Sequence, residues 1–470
     1  MATNASVKAV LAPEDGEERG SLGLRRHVLS PLETLAQSIS TVAPSTSPLI
    51  TIPLVFALAG SATWLAYLLA LACMILMAFS IGIFARDSSS PGSLYVYTRS
   101  TLPPVFGIIS AWSLLFAYVM TAASMVGGIL DYGYVFMGPF GRHLPPALLA
   151  VLVTGGVVWV AYRDIKISAQ AMLWIEGITI LLISLVLAAI LWRHGLHVDT
   201  AQFHVHRSSL AGLRLGVILA VFSFVGFESA TTLGTEAREP LRAIPRAVIG
   251  SALLAGLFFI VCSYTEVLGF AGTGQDLGSS AAPLRLLSGT VGMSLFGPVI
   301  DLGVLVSMFA CMLACVIAAA RVLLLMAHHG LAHGHLRRTH AHNETPWVAG
   351  AVAGVLAVVA PAILAQRGAK GADIYGWMGS LAVYGFLTAY GLVAVALPVY
   401  LQRRGRLGGG SLLLAAAAGV ATVLAMLGSL FPAPPPPYRY LPYLYGIYLA
   451  AGIAWYAVSL RSGRQRNSPS

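Results

Sequence analysis

Long stretches without a charged side chain alternate with short polar stretches along the chain. From Thr34 to Ala85 there is no Asp, Glu, Lys or Arg. Five more charge-free stretches lie at residues 100–130, 345–366, 374–402, 407–438 and 440–460. A membrane core about 30 Å thick is crossed by a helix of roughly 20 apolar residues, and a helix satisfies its own backbone groups in lipid. The pattern therefore predicts an all-α polytopic membrane protein. The alternation typical of a membrane β-barrel is absent.

The charge-free stretches divide into twelve predicted transmembrane helices. We place them near residues 31–59, 63–86, 104–137, 145–162, 168–193, 210–236, 245–271, 291–328, 346–366, 374–402, 411–431 and 440–461. The first long stretch holds two of them, because Gly60-Ser61 interrupts it. Twelve crossings put both chain ends on the same side of the membrane, as an N-terminal tail (1–30) and a C-terminal tail (462–470).

The distribution of positive charge predicts which side that is. Charged residues make up only 10% of the chain, against roughly 25% in an average soluble domain. With both ends inside, 20 of the 28 Lys and Arg residues face the cytoplasm and 8 face outward. Because basic residues near helix ends face the cytoplasm, we expect both termini to lie there in a multi-pass protein of the cytoplasmic membrane. This also accounts for the net charge of +10 without nucleic acid as a partner.

Cysteine and histidine offer little chemistry. None of the four cysteines forms a CxxC pair, so we interpret them as packing residues. Half of the twelve histidines lie in the loop 328–342. A metal site and a solvated basic loop are the two interpretations of this loop, and the irregular spacing without Cys or Asp favours the second. We predict no metal and no cofactor.

Two predicted helices contain helix-breaking sequence at their middles. Residues 43–48 read APSTSP, and residues 223–228 read SFVGFE. Proline removes a backbone donor and clashes with the preceding turn. Interruptions at matching places in two halves of a transporter mark its binding site, because half-helix ends expose unpaired amides and carbonyls. Amides attract a carboxylate and carbonyls attract an ammonium group, so the pair suits a zwitterion. Alternatively, the prolines only kink one helix and the glycine only allows close packing.

Four segments resemble motifs of the amino acid–polyamine–organocation superfamily of permeases. They are residues 222–229 (FSFVGFES), 236–247 (EAREPLRAIPRA), 90–97 (SPGSLYVY), and 320–330 with the following Thr345-Pro346. The resemblance covers roughly residues 30–460. It implies a LeuT-type fold of two inverted five-helix repeats, 31–193 and 210–402, followed by two peripheral helices in 411–461.

The resemblance also implies site residues. The substrate carboxylate is expected at the first break, formed by Ala43, Pro44, Ser45, Thr46 and Ser47. The substrate ammonium is expected at the second break, on carbonyls of Phe222, Ser223 and Val225 beside Gly226, with Phe227 and Glu228 facing the cavity. The first break departs from the Gly-rich sequence common in the family, which leaves its individual donors open.

An ionisable residue inside a predicted transmembrane helix is expected to have a function or a bonding partner, because a charge at the bilayer centre costs at least about 2.5–3.5 kcal/mol. Glu228 either meets the substrate or caps the second half-helix. In proton-coupled relatives a lysine of the fifth helix lies beside the first break, and Thr179 occupies the matching position here. We hypothesise that Glu176, three residues earlier on the same face, is the protonatable group instead. Alternatively, Glu176 pairs with a cytoplasmic cation such as Arg321, or its carboxylate is solvated.

Other polar residues are predicted near the membrane surfaces, whereas Tyr118 has two interpretations. Asp131, Glu266 and Asp301 lie near the outer ends of their helices, where we expect water to reach them. Arg321 is expected to extend to the inner membrane surface. Tyr118, in the middle of the third helix, either lines the cavity or bonds a neighbour.

The sequence thus predicts a secondary transporter, not an enzyme, that moves an amino acid or related small amine by alternating access with a proton as coupling ion. An exchanger or polyamine carrier is the runner-up. A membrane-embedded enzyme would need motifs such as HExxH or GxSxG, which are absent. A channel would need filter sequences, and a sensor would need a soluble output domain.

Overall fold

A computed structural model describes residues 22–138, 144–163, 165–195, 197–203, 210–431 and 433–466. The first 21 residues of the predicted N-terminal tail and residues 467–470 of the C-terminal tail lie outside this description. Over the described ranges the chain is helical, and its single β-bridge joins Leu29 to Ala237. The prediction of an all-α fold is confirmed.

The α-helices are numbered in chain order. They are α1 (Pro31–Val42), α2 (Ile52–Ala59), α3 (Thr63–Ala85), α4 (Leu94–Thr101), α5 (Pro104–Met137), α6 (Pro146–Tyr162), α7 (Ile165–Arg193), α8 (Leu210–Phe222), α9 (Pro240–Phe270), α10 (Pro283–Thr290), α11 (Phe296–His328), α12 (Trp347–Gln366), α13 (Gly371–Arg403), α14 (Gly409–Leu430) and α15 (Leu441–Arg466). A helix lies in each of the twelve predicted segments. Eight helical stretches of the described chain are long and apolar enough to cross a membrane, and α6 and α8 are shorter apolar helices.

The same order of elements occurs twice. A broken helix, a long helix, an eight-residue helix and a helix of more than 30 residues follow one another from α1 to α5 and again from α8 to α11. Two further helices complete each series, α6 and α7 in the first and α12 and α13 in the second. The helices α14 and α15 follow the second series.

Burial separates the central helices from the peripheral ones. The most apolar stretches of α5, α11 and α13 are 72% buried, against 17% for α14. Both α11 and α13 pack against α5, and α1 packs against α7 and α11. The outer surface of α14 carries exposed leucines such as Leu413, which suits contact with lipid. The breaks themselves, at residues 43–51 and 222–233, are buried among other helices.

Local sequence fixes where α1 begins. The Ser30 amide donates to Glu33 Oε2 at 2.7 Å, and the Glu33 amide donates to Ser30 Oγ at 3.3 Å. This reciprocal pair is a capping box, and Pro31 at the first helical position lacks an amide that would need a partner. Gln170 of α7 donates to the other Glu33 oxygen at 2.7 Å. The start of the first broken helix is therefore held on α7.

Candidate substrate site at two broken helices

The first break begins where α1 ends. Ala43 has left-handed backbone angles (φ 48°, ψ 63°), and its amide makes the last helical bond, to the Ile39 carbonyl at 2.9 Å. The chain then turns and re-enters a helix through a π-helical segment, Ser47–Thr51, that contains Pro48. Proline cannot continue an α-helical bond, so the break lies where the sequence predicted it. Residues 43–51 are all buried.

The second break follows α8. Tight turns cover residues 223–228 and lead into a 3₁₀ segment, Ser229–Leu233. Gly226 has φ 93°, a conformation that favours glycine. A Cβ atom at this position would lie 2.2 Å from Cγ2 of Thr41 in α1. Glycine therefore permits both the turn and the close approach of the two broken helices.

Hydroxyl groups join the two broken helices directly. Thr41 Oγ1 and Ser229 Oγ share a hydrogen bond of 2.8 Å, and the Ala230 amide donates to Ser38 Oγ at 3.1 Å. Ser229 Oγ also lies 3.2 Å from the Gln37 carbonyl, to which it donates. Serine and threonine can bond backbone groups that a broken helix leaves free. The two halves of the chain thus meet at their interruptions.

A buried cavity lies between the breaks. Its volume is about 10 Å³, close to the space that one water molecule needs, so the breaks must move apart before a substrate fits between them. It is lined by Thr41, Val42, Ala43, Thr46, Ser47, Thr121, Met125, Phe222, Ser223, Val225 and Tyr375. None of these side chains carries a charge at neutral pH. The polar character of the cavity therefore comes from hydroxyl groups and from the backbone of the breaks.

Part of this polar lining has no partner within the protein. Among the described residues, nothing bonds to the buried Thr46 Oγ1, and no backbone amide donates to the Ser223 or Val225 carbonyl. The Phe222 carbonyl, in contrast, accepts from the Val225 amide at 3.3 Å. Buried polar groups in native proteins are normally bonded. These groups are consequently available to a polar ligand.

Glu176 of α7 lies directly beside the first break. Its Oε1 accepts the Ser45 amide at 2.9 Å, and its Oε2 accepts the Ser307 hydroxyl at 2.5 Å. The carboxyl group is buried, so it is not solvated. Nor does it pair with Arg321, which binds another carboxylate. Thr179 donates to the Ile175 carbonyl and contacts Gly303, one turn further from the break.

Glu228 and Phe227 do not line the cavity, contrary to the expectation from the resemblance. The turn after Gly226 directs the Glu228 carboxyl group between two helices, where Tyr118 of α5 donates to Oε1 at 2.8 Å and Tyr390 of α13 to Oε2 at 2.5 Å. Phe227 packs on the Tyr390 ring. Tyr118 therefore bonds a neighbour, and these residues fix the second break from behind.

Three ionisable residues are more deeply buried than the sequence suggested. Arg321 does not extend to the surface, because Glu236 accepts its Nε and Nη2 at 2.7 and 2.6 Å and both side chains are buried. Asp301 accepts Tyr132 and Arg285, each at 2.5 Å. The buried residue Glu266 has no bonding partner in the described part of the chain. Asp131 is half-buried.

The histidine-rich loop 328–342 contacts aromatic side chains. His329 Nδ1 lies 2.6 Å from the Tyr95 hydroxyl, and His340 Nε2 lies 2.8 Å from the Tyr162 hydroxyl. Over the described ranges, no three His, Cys, Asp or Glu residues are grouped so as to hold a metal ion. These two histidines anchor the loop to the ends of α4 and α6.

Several residues at the site were not predicted from the sequence. They are Thr121 and Met125 of α5, Ser307 of α11, and Tyr375 and Tyr390 of α13. Each lies on a helix that is apolar nearly all round, so periodicity does not show which face points inward. For all of them except Met125, a hydroxyl in the middle of an apolar stretch was the available signal, and many other positions share it.

Comparison with known proteins identifies relatives of the chain. The profile of the amino acid permease family matches residues 29–452. The branched-chain amino acid permease BcaP of Bacillus subtilis is 25% identical over 299 residues, covering 60% of this chain and 62% of the relative. The low-affinity putrescine importer PlaP of Escherichia coli is 26% identical over 205 residues, covering 42% and 44%. The chain thus spans less than two thirds of either relative's length.

A solved structure supports the fold. MhsT in complex with L-phenylalanine superposes with a TM-score of 0.52 at 15% identity, over 86% of this chain and 99% of MhsT. At this identity the likeness concerns the fold alone. It confirms the predicted LeuT-type class, while the number of membrane crossings stays a prediction.

Proposed function

Since the chain belongs to the amino acid permease family, we propose that it carries an amino acid or related small amine across the cytoplasmic membrane by alternating access. One observation carries the proposal. Two broken helices from the two halves of the chain enclose a buried cavity lined by hydroxyl and backbone groups. In the proposed topology, twelve helices cross the membrane, the halves are 31–193 and 210–402, and both termini are cytoplasmic.

The lining of the cavity favours a neutral amino acid. A zwitterion needs one site for a carboxylate and one for an ammonium group, and half-helix ends supply both. Within the residues that the structure describes, the free carbonyls of Ser223 and Val225 suit the ammonium group, and the unpartnered hydroxyl groups of Ser45 and Thr46 suit the carboxylate. Met125 and Phe222 supply apolar surface in the lining for the rest of the substrate.

A polyamine is the weaker candidate. A diamine has a second ammonium group, which would require a carboxylate in the cavity. Glu228 is the nearest acidic candidate along the second break, yet two tyrosines occupy its oxygens. A buried ammonium without a partner is costly. The cavity therefore suits a neutral amino acid better than putrescine, the substrate in the name of the relative PlaP.

Counterflow in proteoliposomes tests the function. Vesicles preloaded with unlabelled leucine should take up labelled leucine saturably, because a carrier exchanges substrate through one alternating site. Excess isoleucine or valine should compete, and putrescine or lysine should not. Absence of counterflow for every amino acid would contradict a carrier and leave a channel, sensor or enzyme. Stronger competition by putrescine would favour the polyamine carrier.

We further propose that a proton accompanies the substrate and binds to Glu176. The carboxylate accepts two donors, one of them the amide of Ser45 within the break. Donors that bond the ionised form stabilise it, and burial without donors favours the protonated form. Movement of the first break would remove the Ser45 amide. Protonation of Glu176 and rearrangement of the break are then linked.

Glu176→Gln tests this coupling. The variant should retain leucine counterflow, because counterflow needs no net proton movement. Its accumulation of leucine under an inward proton gradient should be at least 10-fold lower than that of the unaltered protein. Glu239→Gln is the matched control, since Glu239 is exposed at the start of α9, and it should accumulate leucine like the unaltered protein. Full gradient-driven accumulation by Glu176→Gln would refute the role of Glu176. Counterflow without accumulation in the unaltered protein would indicate an obligate exchanger.

A further inference from the structure

Glu266 is a buried acid that the site does not use. It lies in the last turns of α9, where the sequence suggested water, yet its side chain is fully buried. Among the described residues, neither carboxyl oxygen has a hydrogen-bond partner. The other buried acids differ in this respect, since Glu176, Glu228, Glu236 and Asp301 each accept at least two hydrogen bonds. The surroundings of Glu266 therefore need a separate explanation.

An unpartnered carboxylate is not compatible with such burial. An ion transferred into the protein interior loses several kcal/mol of solvation, which only partners can offset. In the described part of the chain, the titratable groups that neighbour Glu266 are Tyr67 of α3 and Cys262, one turn earlier on α9. Both are neutral at neutral pH, so neither can balance a negative charge. In this arrangement of the helices, Glu266 is consequently a neutral carboxylic acid.

Glu266 is connected to the substrate site through Tyr67. Tyr67 of α3 neighbours Glu266 where α3 and α9 pack together, and its hydroxyl shares a hydrogen bond of 3.2 Å with Ser223 Oγ in the second break. Ser223 lines the cavity. The helix α9 also contacts the π-helical segment of the first break. Only the side chains of Tyr67 and Ser223 therefore separate Glu266 from the proposed ammonium site.

We propose that Glu266 is a second proton-binding residue of the transport cycle, which takes its proton from the outer side. The proposal rests on the proposed transport function and its orientation, in which α9 ends outside. A hydronium ion on the outer side gives its proton to the carboxylate: one O–H bond of the hydronium breaks, one O–H bond of the acid forms, and a water molecule is left. The neutral acid packs against α3 and allows the outer half of α9 to close. The ionised form requires water and keeps that half open.

The dependence of leucine uptake on external pH tests the proposal. With internal pH fixed, the KM of the unaltered protein should rise with external pH, by at most about tenfold per pH unit for one proton. Glu266→Gln is isosteric and always neutral, so its KM should depend less on external pH than that of the unaltered protein, and the remaining dependence should come from Glu176. Glu266→Asp retains an acid and should keep the pH dependence. If the Gln variant follows the unaltered protein, the proposal is wrong.

Thermal unfolding of the same variants in detergent is a second test that needs no transport. Ionising a buried, unpartnered acid destabilises the folded state, so the unfolding temperature of the unaltered protein should fall, relative to Glu266→Gln, as pH rises. Equal profiles would overturn the proposal. A difference in unfolding with identical KM profiles would also overturn it, because Glu266 would then be buried without taking part in the cycle. Absence of leucine counterflow would refute the proposed function, and the unfolding profiles would still decide whether Glu266 holds a proton.

Discussion

At the scale of single residues, the two breaks depend on Gly226 and Thr41. A glycine close to an acidic residue in an apolar helix indicates a break, and the second break was predicted there. Thr41 was not visible, because a threonine before Pro44 has no distinguishing pattern. Its methyl group meets the Gly226 backbone, and its hydroxyl bonds Ser229. Which residue of α1 would face the glycine follows from how the helices pack, and no local rule gives that.

Gly226→Ala should impair both folding and transport. Alanine at φ 93° is strained by about 1–3 kcal/mol, and its Cβ would lie 2.2 Å from Thr41 Cγ2. We expect a lower unfolding temperature in detergent and at least 10-fold slower leucine counterflow, since the clash separates the two breaks.

Two further variants isolate the cause of this effect. Adding Thr41→Ser removes the clashing methyl group, keeps the hydroxyl, and should recover part of the loss. Gly250→Ala is the control, because that glycine has open space around it on α9 and alanine favours a helix. Equal unfolding temperatures for Gly226→Ala and Gly250→Ala would show that the close approach at Gly226 does not matter.

At the scale of elements, helix positions followed from the sequence and helix orientations did not. Charge-free stretches predicted α5 (Pro104–Met137) with the same bounds that the structure gives, because only apolar helices of sufficient length fit a membrane core. The π-helical segment Ser47–Thr51 and the short α4 and α10 were not predicted. Such short elements depend on tertiary packing and carry little local signal.

The same limit explains which site residues were missed. Glu176 was found from its charge, since an acid in an apolar helix needs a reason. Its partner Ser307 and the cavity residues Thr121 and Tyr375 are neutral, and they lie on helices whose faces are nearly equally apolar. The resemblance placed Glu228 in the cavity, but the turn after Gly226 directs it between Tyr118 and Tyr390. A carboxyl group in a break can thus serve the scaffold.

At the scale of the whole molecule, a buried ion pair joins distant segments at one end of the helix bundle. Arg321 of α11 binds both oxygens of Glu236, which follows the second break. The Glu236 carbonyl in turn accepts the amides of Val28 and Leu29, ahead of α1, at 2.8 and 2.9 Å. The charge count predicts the orientation of the chain, yet it could not reveal that Arg321 turns inward to a partner 85 residues away.

Substitutions at this pair should show how strongly it holds those segments together. Arg321→Met leaves Glu236 buried and unpaired, so it should lower stability by about 3–5 kcal/mol. Adding Glu236→Gln removes the uncompensated charge, so the double variant should be more stable than Arg321→Met. At the partly exposed pair of Arg404 and Asp87, whose carboxylate also binds Arg406, Arg404→Met should change stability by no more than about 1 kcal/mol. Thermal unfolding in detergent compares the three variants. A double variant no more stable than Arg321→Met would mean that Glu236 gains water or another partner, and that the pair does not hold the N-terminal segment to α11.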